Sequence, residues 1–346
     1  MVFVGIWLLG GRAFHSEAWL GVYLATEQRA HLPSPQTLAP AEATCSPLRH
    51  CPPGSIRLQH GRIAVYRKEQ IPAIPRCSTF SNAEIIAYCS DPPSVALGTI
   101  PLGRYGNTII PLSDQEVVKY GPGVTIEEYM NLQCAYQLLD PSIVCVPRPY
   151  RFFQNGDLGY IVMEYMKGTV LGELAATSHI EKVGKALEHF SGFRSLQPGP
   201  LGGGVLRGLL WSEGTTTEYS LYGSTERLEH WFNRRIKHNG LSLSFQECGF
   251  VLCHLDIAPR NIVWLHGDSL CIFDWASAGY YSRIFEWCLL DMFHGRDSLF
   301  QGLVKKTMGP LTGWENENRQ LIEKAWANSI QYHLCVPLLN WCVIKL

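Results

Sequence analysis

A chain of 346 residues has room for one large two-lobed domain or two ordinary ones, and its apolar share of 46% is that of a globular fold. Basic and acidic residues number 29 and 30, so no positive excess exists to grip nucleic acid or anionic lipid, and neither is expected as a partner. The 12 cysteines are scattered from Cys45 to Cys342 without a Cys-x-x-Cys pair or a Cys/His cluster at zinc-ligand spacing, which points to reduced, mostly buried thiols.

Met1 to Gly10 is apolar, but the first arginine, Arg12, follows that run, so it does not read as a signal peptide. No stretch approaches the twenty or so apolar residues of a membrane span. The expectation is a cytoplasmic monomer. Ser16 to Arg29 reads as a short helix without chemistry. From His31 to Pro75, eight prolines (Pro33, Pro35, Pro40, Pro47, Pro52, Pro53, Pro72 and Pro75) remove backbone donors and break periodicity. Residues 1–80 are therefore expected to be a weakly ordered, Pro-rich extension.

Order is expected from about Asn82. Ser94 to Leu102, Asn107 to Leu112 and Glu116 to Tyr120 read as short strands joined by small turn residues. After Gly121-Pro122-Gly123, Thr125 sits where an N-cap belongs, and Glu127 to Leu139 carries apolar residues at helical spacing. Val146-Pro147-Arg148-Pro149 ends that helix. A hairpin follows, with strands Arg151 to Gln154 and Tyr160 to Glu164 around Asn155-Gly156-Asp157. Beyond Gly168 the pattern turns mainly helical, with Val170 to Ala176, Glu181 to Leu196 and Glu226 to Lys237 as candidates. The expected class is α+β: a small antiparallel sheet lobe with one helix (residues 81–165), then a larger, mainly helical lobe (residues 166–346).

The segment that carries chemistry is His254-Leu255-Asp256-Ile257-Ala258-Pro259-Arg260-Asn261. It is followed by apolar Ile262 to Leu265, a Gly267-Asp268 turn, and Leu270-Cys271-Ile272-Phe273-Asp274-Trp275. Two apolar strands around a tight turn make a hairpin, which returns Asp274 beside Asn261. Phosphoryl transfer needs such a convergence: negative charge on the phosphate oxygens must be neutralised by magnesium while the acceptor hydroxyl is held in line. Asn261 and Asp274 offer hard oxygen ligands. Asp256 is placed to orient the hydroxyl and take its proton, help worth roughly a hundredfold to ten-thousandfold.

At these residues the chain resembles the kinase-like fold and, within it, the aminoglycoside phosphotransferase-like group, especially a fungal-type branch that reads His-x-Asp-x-Ala-Pro-Arg-Asn. Asp274-Trp275 stands where protein kinases carry Asp-Phe-Gly. Lys119 in Val-Val-Lys, Glu128, Val146-Pro147-Arg148, the hinge-like Ile161 to Tyr165, and Glu286 after Ala278-Gly279-Tyr280 fall in the same order. The resemblance covers about Leu97 to Leu290. It implies a bilobal, protein-kinase-like fold and a small-molecule kinase using ATP or GTP with magnesium and a hydroxyl acceptor. By that likeness Lys119 would hold the nucleotide's phosphates and Glu128 would pair with its ammonium. Glu164 and Met166 would flank the adenine through backbone groups, Asp256 would be the catalytic base, and Asn261 and Asp274 the metal ligands. His254 would orient the loop without touching substrate, and Glu286 would anchor it or act in the reaction.

The chain departs from the protein-kinase pattern in telling places. Gly103-Arg104-Tyr105-Gly106-Asn107 is not Gly-x-Gly-x-x-Gly, and Leu255 stands where a regulated kinase carries Arg, so control by loop phosphorylation is not expected. No Ala-Pro-Glu closes a long loop after Asp274, so a peptide platform is not expected. The competing class is a pseudokinase that binds nucleotide without turnover; a protein kinase ranks behind it. From Tyr281 onward six acids face seven bases, so no acidic excess points to a polycationic acceptor.

Overall fold

In the computed structural model the described residues are 56–59, 62–64, 80–90, 107–171, 177–208, 210–211, 224–236, 240–246, 248–292 and 298–332. The helix expected at Ser16 to Arg29, the strand at Ser94 to Leu102 and the loop from Gly103 to Gly106 lie outside them. Two short strands come first, β1 (Ile56–Gln59) and β2 (Arg62–Ala64), paired antiparallel. They fall inside the stretch read as a weakly ordered extension. Ile-Arg-Leu-Gln alternates apolar and polar residues with the period of a strand, a signal overshadowed by the prolines around it.

A helix not anticipated from the sequence, α1 (Asn82–Ser90), starts at a reciprocal cap. Ser81 Oγ accepts the Glu84 N–H at 3.3 Å, and Glu84 Oε2 accepts the Ser81 N–H at 2.6 Å. The small lobe then builds as β3 (Thr108–Pro111), β4 (Glu116–Gly121), α2 (Ile126–Leu138), β5 (Pro149–Asn155) and β6 (Leu158–Glu164). Thr125 caps α2 by accepting the Glu128 N–H. All pairings in the sheet are antiparallel, in the order β3-β4-β6-β5.

Side chains alternate faces along each strand. One face of the sheet buries Ile110, Val118, Phe153, Tyr160 and Val162 against Ile85 and Cys89 of α1. Val117, Ile161 and Met163 point the other way and join the main core. Lys119 is two residues from Val117 and pairs in register with Ile161, so the alternation sends it to the same inner face.

The larger lobe runs β7 (Gly168–Val170), α3 (Thr177–Ser191), β8 (Phe193–Ser195), β9 (Gly199–Pro200), α4 (Thr225–Asn233), β10 (Phe250–Cys253), β11 (Ile262–Leu265), β12 (Ser269–Ile272), β13 (Gly279–Tyr281), α5 (Ile284–Met292), α6 (Ser298–Thr307) and α7 (Gly313–Tyr332). Its strands, joined by β1 and β2 from before the small lobe, form one sheet ordered β2-β1-β8-β10-β13-β9, and others form a second ordered β12-β11-β7.

Three helix boundaries read from the sequence are corrected. Val170 ends a strand, because Gly168 to Val170 pair with β11; residues 172–176 lie outside the described set. α3 begins at Thr177 and stops at Ser191, where Gly192 breaks it, and Phe193 to Ser195 pair with β1 and β10. α4 covers Thr225–Asn233, short of the expected Lys237, which is outside the described residues.

The core of this lobe is aromatic. Trp211 meets Trp231 edge-on at 5.2 Å, and Phe245 meets Phe285 at 5.4 Å, the T-shaped geometry that ring quadrupoles favour. Cys253, Cys271 and Cys288 are free, buried thiols whose pKa is raised well above the ordinary value by burial.

Candidate active site

Lys119, aimed inward by the β4 alternation, is 6% exposed and places Nζ 2.6 Å from Glu128 Oε1, in the first turn of α2. The same Nζ lies 3.1 Å from Asp274 Oδ1, beyond the β11–β12 hairpin of the other lobe. One ammonium thus joins two carboxylates across the cleft. Burial works against the charge on Lys119, but Asp274 and Glu128 outweigh it and its pKa is raised. Burial also opposes ionisation of Asp274, yet the nearby Lys119 prevails and holds its pKa down.

The hairpin expected from the sequence is present, with Ile262 opposite Ile272 and Leu265 opposite Ser269. Phe273 N–H donates to Asn261 O at 2.8 Å, so the residue before Asp274 is bonded directly to Asn261. Asn261 Nδ2 donates to Asp256 Oδ2 at 2.7 Å and to Asp256 O at 2.9 Å. Arg260 Nη2 contacts the other oxygen, Asp256 Oδ1.

His254 joins the two loops from beneath. Its Nδ1 accepts the Asp256 N–H at 3.2 Å, which places the ring proton on Nε2, and Nε2 donates to Phe273 O at 2.9 Å. The ring is fully buried, and burial lowers its pKa, so it is a neutral strut. Glu286, from α5, accepts the N–H groups of His254 (2.7 Å) and Leu255 (2.9 Å) on Oε2. Burial pushes its pKa up to about 7 against the pull of those N–H groups. Leu255 and Asp274 both have φ 61°, the left-handed region that costs a residue with a Cβ, and each lies at a point where these bonds converge.

Of the seven residues given catalytic, nucleotide-binding or metal roles from the sequence, five, Lys119, Glu128, Asp256, Asn261 and Asp274, are therefore linked by direct bonds or through His254 and Phe273. Glu164 is engaged differently. Its Oε2 accepts the Arg148 N–H at 3.1 Å, so its carboxylate ties β6 to the start of β5. Met166 is half-buried on the segment joining the lobes.

The donor set suits magnesium. With Asn261 Nδ2 committed to Asp256, its acceptor oxygen Oδ1 is the end available to a cation, and Asp274 is an ionised carboxylate. Two hard oxygens, completed by phosphate and water, match how magnesium is commonly held. Among the described residues no group of three or more His, Cys, Asp or Glu forms a metal cage.

Residues 117–304, more than half of the chain, match the phosphotransferase enzyme family. The chain belongs to that family. This phosphotransferase has a two-lobed α+β fold, its small sheet and α2 facing a larger, mainly helical lobe. No curated protein matches its sequence. Similar solved structures include the aminoglycoside phosphotransferase APH(4)-Ia, 11% identical with a TM-score of 0.44 over 72% of this chain and 88% of its own. An aminoglycoside phosphotransferase from Alicyclobacillus acidocaldarius is 14% identical, with a TM-score of 0.39 over 77% and 89%. The choline kinase LicA from Streptococcus pneumoniae is 14% identical, with a TM-score of 0.36 over 67% and 83%. Among the described residues of the phosphotransferase no helix is long and apolar enough to cross a membrane.

The sequence reading assigned nothing to Asn131, a buried residue of α2. Its Nδ2 donates to Trp275 O (3.0 Å) and Ala276 O (3.2 Å), and its Oδ1 accepts the Gly202 N–H at 2.7 Å. The run Gly202-Gly203-Gly204 was the available signal. A Cβ at Gly202 would lie 2.6 Å from Met130 C, so only glycine lets that segment touch α2. A cavity of about 550 Å³ between α3 and the β11–β12 turn, lined by Lys182, Lys185 and Asp268 among others, shares no residue with this site.

Proposed function

We propose that the phosphotransferase transfers the γ-phosphate of a magnesium-bound purine nucleotide, ATP or GTP, to the hydroxyl of a small molecule. The observation that carries this reading is the Lys119 ammonium held between Glu128 and Asp274, with Asp256 and Asn261 bonded to each other on the adjoining loop. Lys119 neutralises phosphate oxygens, and Glu128 keeps its ammonium directed into the cleft. Glu164 and Met166 border the base of the nucleotide at the segment joining the lobes. Asn261 Oδ1 and Asp274 would hold a magnesium ion, which would supply charge neutralisation on the phosphoryl group.

Asp256 orients the acceptor hydroxyl. A carboxylate has about four lone-pair sites, so the bonds from Arg260 and Asn261 leave capacity for a hydroxyl donor. As the acceptor oxygen bonds to the γ-phosphorus, its proton passes to Asp256. The bond to the bridging oxygen breaks, and the nucleoside diphosphate leaves with those electrons. The short segment between Asp274 and Glu286 favours a small acceptor over a peptide. The proposed enzyme is monomeric and cytoplasmic, and its partners are a nucleotide and a small alcohol.

The test pairs nucleotide binding with turnover. Magnesium ATP or GTP is expected to raise the melting temperature, and the purified protein is expected to release diphosphate when acceptor hydroxyls are screened. Asp256→Ala should keep the thermal shift and lose turnover by roughly two to four orders of magnitude. Undiminished turnover in that variant would overturn the role of Asp256. A thermal shift without turnover for any acceptor would favour the nucleotide-binding scaffold.

A further inference from the structure

We infer that Asn131 is a positioning residue for the metal-ligand turn: from the buried face of α2 it locks the backbone that follows Asp274, so that the helix and the turn move as one body. What the turn holds rests on the functional reading above; the lock itself rests on geometry. Asn131 is 1% exposed, and both ends of its amide are used, by Trp275 O and Ala276 O on one side and by the Gly202 N–H on the other.

Asn131 lies three residues after Glu128, on the same face of α2. Glu128 grips Lys119, and Lys119 grips Asp274 Oδ1. Asp274 is thus held twice from a single helix, at its side chain through Lys119 and at its following backbone through Asn131. A left-handed φ of 61° at a residue with a Cβ persists only where its surroundings fix it, and this double hold does so. The glycine-rich segment closes the turn from another side: a Cβ at Gly208 would meet Ser277 Oγ at 2.1 Å. A second tie, Arg207 Nε to Glu127 Oε2 at 3.3 Å, joins that segment to α2 without touching the turn, which makes it the natural control.

The full chain is compared with Asn131→Ala and Arg207→Met. Hydrogen exchange is followed in the unliganded protein at the Ala278 amide, which donates to Trp275 O at 3.1 Å, and at the amides of the small-lobe sheet. The magnesium concentration giving half of the nucleotide-dependent thermal shift is measured in parallel. Asn131→Ala is expected to speed exchange at the turn selectively and to raise the magnesium midpoint about tenfold, the usual scale for losing a residue that orients a metal ligand. Arg207→Met should do neither. Uniformly faster exchange in Asn131→Ala with an unchanged magnesium midpoint would reduce Asn131 to a stability residue and overturn the proposal. Should Asn131→Ala not fold, Asn131→Gln, which carries the same amide on a longer stem, is read by the same criteria. If the wild-type chain shows no nucleotide-dependent shift, the functional reading fails, and exchange alone decides the lock: turn-selective acceleration supports it and its absence overturns it.

Discussion

Asp274 and Asp256 sit on adjoining loops, and both loops have anchored backbones, but their carboxylates are held by different means. Asp274, its own side chain 36% exposed against 17% for Asp256, meets a lysine whose side chain is 7% exposed and which is itself pinned by buried Glu128. Asp256 meets a guanidinium on Arg260 whose side chain is 47% exposed, together with the amide of Asn261. The two differ in the cation: a buried ammonium held by a second carboxylate is costly to move, whereas an exposed guanidinium is screened by salt and free to swing away. The difference teaches where the molecule is rigid. The side that would take nucleotide and metal is built before they arrive, and the side that would take the acceptor keeps an adjustable partner.

The largest expected effect breaks the rigid side. Lys119→Met leaves Glu128, whose pKa burial already pushes up to about 7, without its cation. At pH values well above 7, where the carboxyl is otherwise charged, this should cost about 3–5 kcal/mol in urea unfolding, and it should abolish any nucleotide-dependent thermal shift. A loss below 1 kcal/mol would mean that the two sides do not differ. Next comes the support beneath Asp256. Glu286→Ala strips the acceptor from the buried N–H groups of His254 and Leu255, for an expected loss of roughly 2–4 kcal/mol in the same measurement.

Glu286 also sets a pH signature. Its folded pKa, about 7, lies above the unfolded value of 4.5, so the folded chain binds the extra proton between them. Its contribution to stability is complete below pH 4.5 and is lost as pH rises through 7. Glu128, which burial likewise pushes up to about 7, adds a slope of the same sign. Glu286→Gln should therefore roughly halve the pH dependence of the urea midpoint over that window, and an undiminished slope would remove Glu286 from it. The smallest effect sharpens the adjustable side. Arg260→Met should change stability by less than about 1 kcal/mol, with the difference vanishing in 1 M salt.

Much of this arrangement was legible in the chain itself. The strand-turn-strand pattern after Asn261 was strong enough to place Asp274, and the inner-face position of Lys119 follows from a two-residue period. What escaped had causes that only tertiary packing supplies. Asn131 occupies mid-helix, where asparagine looks merely unfavourable, and its value appears only when Trp275 O and Ala276 O arrive from far along the chain. Gly168 to Val170 are a strand because β11 pairs with them, and three residues hold too little periodicity to announce it. Phe193 to Ser195 continued an apolar rhythm past Gly192, the stop signal that should have ended the helix. The bond from the Arg148 N–H to the Glu164 carboxylate, across the sheet, was likewise invisible to any local pattern.

The sealed sulfhydryls of Cys253, Cys271 and Cys288 bear on how this enzyme can be watched. A thiol kept protonated and walled off by packing does not attack a small electrophile until its surroundings part. Alkylation at these three positions therefore times the breathing of the interior in the unaltered chain, a clock that needs no introduced probe.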